Sequence, residues 1–153
     1  MIEKIKEFLE ELKDNEKFKG KNQLAYNTSV CLIDNQLSVD FYDPNSDKIT
    51  SFTKQKDEIL SQESEVFRQE KKEIEELQIN KIQINQKKAE EIISGKYKDE
   101  ATKKIFILQQ VNTPIWNITY LTSKLDILNV KINAVSGEII EEKIESALNF
   151  QKK

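Results

Sequence analysis

The chain has 153 residues, enough for one ordinary domain with its own core, and 33% of them are charged against 37% that are apolar. Its 24 basic and 27 acidic residues give a net charge of −3, which excludes the strongly positive field that attracts nucleic acid. Histidine is absent and Cys31 is the single cysteine, which excludes an internal disulfide, most hydrolytic triads and most zinc sites. We expect Cys31, in the apolar run SVCLI, to be a small core residue and not a nucleophile.

The sequence contains no segment that resembles a membrane span or a secretory signal. Crossing a bilayer takes roughly 20 consecutive apolar residues, and charges interrupt the apolar positions of the N-terminal segment MIEKIKEFLEELK. The sequence as it stands therefore predicts a cytoplasmic protein, or an extracytoplasmic one if a leader or anchor has been removed.

The first 54 residues predict a helix followed by a three-stranded meander. An apolar stripe at helical spacing predicts an amphipathic helix over residues 2–14; its members are Ile2, Ile5, Phe8, Leu9 and Leu12. Residues 26–33 are apolar and favour a strand, and Asp34-Asn35 is a plausible turn into a second, alternating strand. The segment YDPNSDK then predicts a turn before a short third strand at residues 49–52.

Residues 55–77 predict a long, largely solvated helix. They contain no Gly or Pro, and they show a narrow apolar stripe among many glutamates and lysines. The glutamates lack the alternating ligand spacing and the glycine turn of a calcium loop, so we interpret them as a charged helical face.

The second half predicts a helix and four strands. After a short extended piece at residues 79–84, Asn85 is the expected N-cap of a helix that ends at Gly95. Strands are expected at KIFILQQV, PIWNITYLT, DILNVKINA and EIIEE, with a turn at Ser136-Gly137 before the last one. From Ile144 onward, apolar residues at helical spacing predict a short C-terminal helix or a frayed end.

Two stretches, LSVDFYDPNSDKITSF and LNVKINAVSGEIIEEK, share the pattern of an alternating strand, a turn and a return strand. The second half also resembles the PepSY family through INKIQINQKKAEEII, PIWNITYLT and LNVKINAVSGEII, over residues 78–143. The family's usual aspartate is replaced by Asn133-Ala134, and the Ser-Gly turn is kept. The resemblance implies a small domain found in propeptides of thermolysin-like metallopeptidases and in many exported proteins.

The predicted fold class is therefore α+β: an amphipathic helix packed on an antiparallel β-meander, PepSY-like or cystatin-like, duplicated, with a long connecting helix. The predicted domains are a helix-plus-meander unit at residues 1–54, the connecting helix at 55–77 and a PepSY-like unit with a C-terminal helix at 78–153.

The leading functional prediction is a non-catalytic binding or regulatory module that contacts a peptidase or another protein, because no residue pattern predicts a catalytic or metal site and no cofactor is expected. Contact would use strand addition or an aromatic patch, with Trp116, Tyr120 and Asn117 as candidate binding residues. Two alternatives remain open at this stage. One is a scaffold that self-associates through the helix at residues 55–77, and the other is a small-molecule carrier with a cavity between helix and sheet.

Overall fold

A computed structural model describes residues 2–15, 18, 25–34, 36–66 and 74–146. The helices are α1 (Ile2–Lys13), a 3₁₀ turn (Ile79–Lys81) and α2 (Gln86–Lys96). The strands are β1 (Tyr26–Ile33), β2 (Gln36–Asp43), β3 (Lys48–Gln55), β4 (Glu58–Glu65), β5 (Ala101–Val111), β6 (Thr113–Thr122), β7 (Asp126–Asn133) and β8 (Ile139–Ser146).

All eight strands form one continuous antiparallel sheet in the order β4-β3-β2-β1-β5-β6-β7-β8. Each strand pairs with its sequence neighbour through a hairpin, except that β1 pairs with β5 at the centre. The central β1/β5 pairing places Val30 opposite Leu108 and Cys31 opposite Ile107. The edge strands are β4 and β8.

The sheet has one buried face, to which the helices contribute, and one open face. Side chains alternate between the two faces along each strand, as the pleat requires. Side chains of α1, α2 and one sheet face belong to a single hydrophobic cluster, which includes Ile5, Leu12, Val39, Phe52, Ile93, Leu108, Ile118, Val130 and Ile132.

The prediction of α1 is confirmed. Ile5, Phe8 and Leu12 are the buried residues of this helix, and the intervening glutamates and lysines are exposed. The spacing of three and four residues places these side chains on one stripe, so burial of that stripe stabilises the helix in the tertiary structure.

The prediction of α2 is confirmed at its start, and at its end the helix is one residue longer than predicted. The Asn85 side chain accepts a 2.8 Å hydrogen bond from the backbone N–H of Lys88, which satisfies a free donor of the first turn. The helix continues through Gly95 and ends at Lys96. Just before it, residues 79–81 form a 3₁₀ turn where an extended piece was expected.

The predicted hairpins are confirmed. Asp34 follows β1 with a φ of 48°, residues 44–47 form the turn between β2 and β3, and Gly137 has a φ of 85° after β7. The Asn133 side chain accepts hydrogen bonds from the backbone N–H groups of Val135 and Ser136, which fixes the turn of the last hairpin.

The predicted fold class is wrong. The described residues form mostly one eight-stranded antiparallel sheet with two helices, and not a duplicated unit of a helix packed on a meander.

The predicted connecting helix at residues 55–77 is also wrong. Residues 58–65 are strand β4, which pairs with β3 over eight consecutive positions, and residues 74–78 are irregular; residues 67–73 lie outside the described part. Helix-favouring Glu and Gln residues adopt the strand because β4 gains a ladder of backbone hydrogen bonds to β3, and such tertiary pairing overrides weak intrinsic propensity.

The predicted C-terminal helix begins too early. Ile144 lies in β8 opposite Leu128. The other residues of that prediction, 147–153, lie outside the described residues.

Candidate ligand-binding cavity

A cavity of about 460 Å³ lies between the C-terminal half of α2 and strands β5 to β8. We call it the α2 cavity. Its lining residues are Glu90, Ile93, Ser94, Tyr97, Asp99, Glu100, Ala101, Lys104, Tyr120, Thr122, Asp126, Leu128 and Ile144.

Local structure explains why these side chains meet. Glu90, Ile93, Ser94 and Tyr97 recur at intervals of three and four residues, so they occupy one face of α2 and its C-cap. On β6 the side chains two apart, Tyr120 and Thr122, point to the same face of the sheet. The cavity is therefore lined by residues three or four positions apart on α2 and two positions apart on β6.

Tyr120 is the most informative side chain of the cavity. It is 7% exposed, its ring meets the Phe106 ring edge-on at 6.1 Å, and Lys104 Nζ lies 5.1 Å from its ring centre. Its hydroxyl makes no hydrogen bond within the described part of the chain. Burial, followed by the charge of Glu90, raises the pKa of Tyr120 to about 12. At neutral pH a protonated phenol with an unused donor and acceptor thus lines this cavity.

Tyr97, at the opposite wall, is held by the edge strand. Its hydroxyl donates a 2.6 Å hydrogen bond to Glu142 Oε2, and Lys96 contacts the other oxygen of the same carboxylate. The bond to Glu142 is the main reason that the pKa of Tyr97 is raised to about 12. The hydrogen bonds from Lys96 and then Tyr97 lower the pKa of Glu142. This network ties the end of α2 to β8.

The charged groups of the lining are mostly acidic. Lys104 Nζ lies 3.5 Å from Glu90 Oε2, and Lys124 Nζ lies 3.2 Å from Asp99 Oδ1. The carboxylates of Glu100 and Asp126 have no ion pair or hydrogen bond among residues 2–15, 18, 25–34, 36–66 and 74–146. The lining thus holds two carboxylates that no described cation neutralises.

The structure does not bring the three predicted binding residues together. Tyr120 lines the α2 cavity. Trp116 lies on the same face but is only 2% exposed, and its Nε1 donates a 2.7 Å hydrogen bond to the Ile84 carbonyl, which fits a structural role. Asn117 points to the opposite, open face, where its Oδ1 accepts from Asn129 Nδ2 at 2.8 Å.

Cys31 differs from its expected place in the core. It lies on the open face of β1 and is partly buried. Burial, and secondly the charge of Asp40, raises the pKa of its thiol. Asp40 itself accepts hydrogen bonds from the Ser29 and Ser51 hydroxyls at 2.8 and 2.6 Å, so these strands share a polar row on the open face.

Sequence reasoning missed most of the lining, notably Tyr97, Glu100 and Lys104. The helical interval between Ile93 and Tyr97 was a usable signal, because it continues the buried stripe of α2 past its last turn. The strand contributions carry no comparable signal, since they become neighbours of α2 only through the sheet order. No group of three or more potential metal ligands occurs in the described segments.

Comparisons with known proteins show a solved structure with a similar fold, and they assign the chain to no family. No protein-family model matches the chain, and no curated protein matches it significantly. The solved structure of a putative lipoprotein from Clostridium difficile 630 aligns with a TM-score of 0.64 and 14% sequence identity, over 92% of this chain and 90% of that one. At this identity the likeness shows a shared fold alone. Among the described residues, none of the helices has the length and apolar content needed to span a bilayer.

Proposed function

We propose that the protein is a non-catalytic binding module that holds its ligand in the α2 cavity. The observation that carries the proposal is the Tyr120 hydroxyl, which lines the cavity, belongs to a buried residue and has no hydrogen bond within the described ranges. No described polar side-chain atom is fully buried without a partner, so this hydroxyl reaches the open space of the cavity, where it can donate a hydrogen bond to a ligand or accept one from it. The volume of about 460 Å³ falls in the usual range for small-molecule pockets, about 300–1,000 Å³.

The chemistry of the lining supports binding over catalysis. The chain has no histidine, and Cys31 lies on the open face of the sheet, opposite to the face that packs with α2. The raised pKa values of Tyr97 and Tyr120 keep both phenols protonated at neutral pH, which suits hydrogen bonding and not nucleophilic attack.

A plugging variant tests this proposal. Ser94 lines the cavity from the exposed side of α2, so Ser94→Phe places a ring at the opening, whereas Lys87→Phe introduces the same ring on the same helix away from the cavity. A fragment library is screened by amide chemical-shift changes in the unmodified protein. We expect some fragments to change the amide chemical shifts of Tyr97, Ala101 and Leu128. Ser94→Phe should abolish these changes, and Lys87→Phe should leave them in place. The proposal would be refuted if the fragments change only amide chemical shifts outside the cavity, or if the changes at the cavity persist in Ser94→Phe.

A second candidate function is the PepSY-like one, in which the protein contacts a peptidase or another protein. The observation in its favour is that β4 pairs with β3 alone among the described strands and is exposed over most of its length, which suits strand addition. The test is the rate at which a thermolysin-like peptidase cleaves a peptide substrate with and without the protein. Slower cleavage that is lost in Gln62→Pro supports this candidate, and an unchanged rate at saturating protein contradicts it. The scaffold alternative was predicted to use a helix at residues 55–77, of which residues 58–65 form strand β4.

For localisation, we propose the extracytoplasmic alternative. Its support is the neighbour of the same fold, whose name describes a lipoprotein. Fractionation of the source cells, followed by immunodetection of the protein, separates the two locations; recovery in the cytoplasmic fraction would contradict the proposal.

A further inference from the structure

We infer that the ligand of the α2 cavity is a small organic cation, with a positively charged nitrogen attached to an apolar body, as in an alkylammonium ion. This inference rests on the proposed function and specifies the chemistry of the same site. It follows from the charges of the lining, its apolar surfaces and the position of Tyr120.

The charges of the lining favour a cation. Four carboxylates line the cavity, those of Glu90, Asp99, Glu100 and Asp126, against the single ammonium of Lys104. Lys104 pairs with Glu90, and Asp99 pairs with Lys124, which leaves Glu100 and Asp126 without a described counter-ion. An anion entering the cavity would meet this excess negative charge in a partly enclosed space, where Coulomb interactions are stronger than in bulk water.

The rest of the surface favours an apolar body beside the charge. Ile93 and Leu128 are buried lining residues, and Ile144, also in the lining, is 58% exposed. Covering an exposed large apolar side chain at a cavity opening is favourable, because it removes apolar surface from water. A cation without an apolar part would leave the apolar surface of the lining exposed to water.

Tyr120 provides the third contact. Its hydroxyl has no hydrogen bond to any described residue and the residue as a whole is more than nine-tenths buried, so it offers an oxygen acceptor to an N–H donor. The Lys104 ammonium already lies 5.1 Å from the centre of this ring, which is within the range of cation–π attraction. The environment of Tyr120 is therefore one in which a positive nitrogen is accommodated.

Three probes of equal chain length separate charge from apolar burial: n-octylammonium, n-octanol and n-octanoate. Their dissociation constants are measured by amide chemical-shift titration at low and moderate salt. We expect n-octylammonium to bind roughly tenfold more tightly than n-octanol, and n-octanoate more weakly than either, because partly exposed charge pairs each contribute only modestly. The preference should shrink as salt is raised.

Charge-neutralising variants assign the effect to the site. Glu100→Gln with Asp126→Asn should remove the preference for n-octylammonium over n-octanol, because it deletes the two carboxylates that have no described counter-ion. Glu138→Gln, which removes a carboxylate of the β7–β8 loop outside the cavity lining, serves as the matched control and should keep the preference. Circular dichroism and urea denaturation confirm that each variant is folded.

The outcomes distinguish the two proposals. Equal binding of all three probes, or tighter binding of n-octanol or n-octanoate, overturns the inference of a cation and leaves the binding function intact. A preference that survives in Glu100→Gln with Asp126→Asn also overturns it. If none of the probes shifts cavity residues while the fragment screen finds cavity ligands, only the inference fails; if both experiments find none, the proposed function fails with it.

Discussion

Replacing Trp116 by phenylalanine should lower the free energy of unfolding by about 3 kcal/mol. The indole Nε1 donates a 2.7 Å hydrogen bond to the carbonyl oxygen of Ile84, and the ring is buried against Phe106, with ring centres 6.2 Å apart. Phenylalanine keeps an aromatic ring but leaves the Ile84 carbonyl without its donor, which costs about 1–3 kcal/mol. The smaller ring leaves part of the indole's space unfilled, which adds about 1 kcal/mol.

Urea denaturation followed by far-ultraviolet circular dichroism measures this loss, because Trp116 is the single tryptophan and its fluorescence disappears with the substitution. Tyr120→Phe is the matched control: it lies on the same face of β6 and contacts the same Phe106 ring, but its hydroxyl has no described partner. It should change the unfolding free energy by less than about 0.5 kcal/mol. Equal losses in the two variants would refute the argument that the hydrogen bond from Trp116 to the Ile84 carbonyl stabilises the fold.

Three other predictions concern the cap of α2, the glycines and the tyrosines. Asn85→Ala should destabilise the protein by about 1 kcal/mol, while Asn85→Asp keeps the acceptor and should cost less; equal losses in urea denaturation would argue against the cap. Gly137→Ala should destabilise by more than about 1 kcal/mol, since Gly137 has a φ of 85° and a Cβ there would lie 3.3 Å from Ile84 Cδ1. Gly95→Ala, in the helix with nothing within 4 Å of the new Cβ, should instead stabilise by up to about 1 kcal/mol, and thermal denaturation of the two variants gives the sign of each effect. In an absorbance titration, Tyr97→Phe and Tyr120→Phe should each remove one tyrosinate that forms only near pH 12. Because folding holds both phenols protonated, their stabilising contribution is present below the unfolded pKa of about 10 and is lost as the pH rises through about 12; tyrosinate formation near pH 10 at both positions would contradict this.

The parts of the fold that sequence reasoning predicted well are those in which one face is buried. β7 shows this clearly: Leu128, Val130 and Ile132 are buried, and the polar residues between them are not. A strand with one buried face must alternate, so its pattern is visible without any knowledge of its partners. The N-cap of α2 was equally local, because Asn85 bonds to the backbone of Lys88 three residues away.

The α2 cavity could not be predicted in the same way, because its walls come from segments that are distant in the sequence. Ser94 and Ile144 are 50 positions apart in the numbering and meet only because β8 follows β7 at the end of the sheet near α2. Trp116 was a reasonable candidate by residue type, yet a buried indole bonded to a backbone carbonyl serves the core. The residue types were enough to propose candidates, but the order of the strands in the sheet determines which of these candidates line the cavity.

The wrong prediction for residues 55–77 has a different cause, which is the position of β4 at the edge of the sheet. Most of its residues are exposed on both faces, so no alternation was needed and none is visible. The turn before β4 has no recognisable sequence signature either. Lys56 adopts a φ of 50° there, at a position where Gly or Asn would have indicated a turn. What remained was a run of Glu, Gln and Ser without breakers, which favours a helix on propensity alone.

The same glutamates have a physical function at the edge. If two copies of β4 paired antiparallel about the midpoint of the strand, Glu58 of one copy would lie opposite Glu65 of the other, and directly opposed like charges destabilise a sheet. β8, at the other edge, carries Glu141, Glu142 and Glu145 together with Lys143, and Glu141 and Glu142 are ion-paired with Lys131, Lys143 and Lys96. Negative charge therefore protects the β4 edge from pairing with a second copy of itself, while an extended segment that carries lysine or arginine would meet no such barrier. A run of Glu, Gln and Ser favours a helix by intrinsic propensity, but at the edge of this sheet its glutamates disfavour pairing with another copy of the same strand.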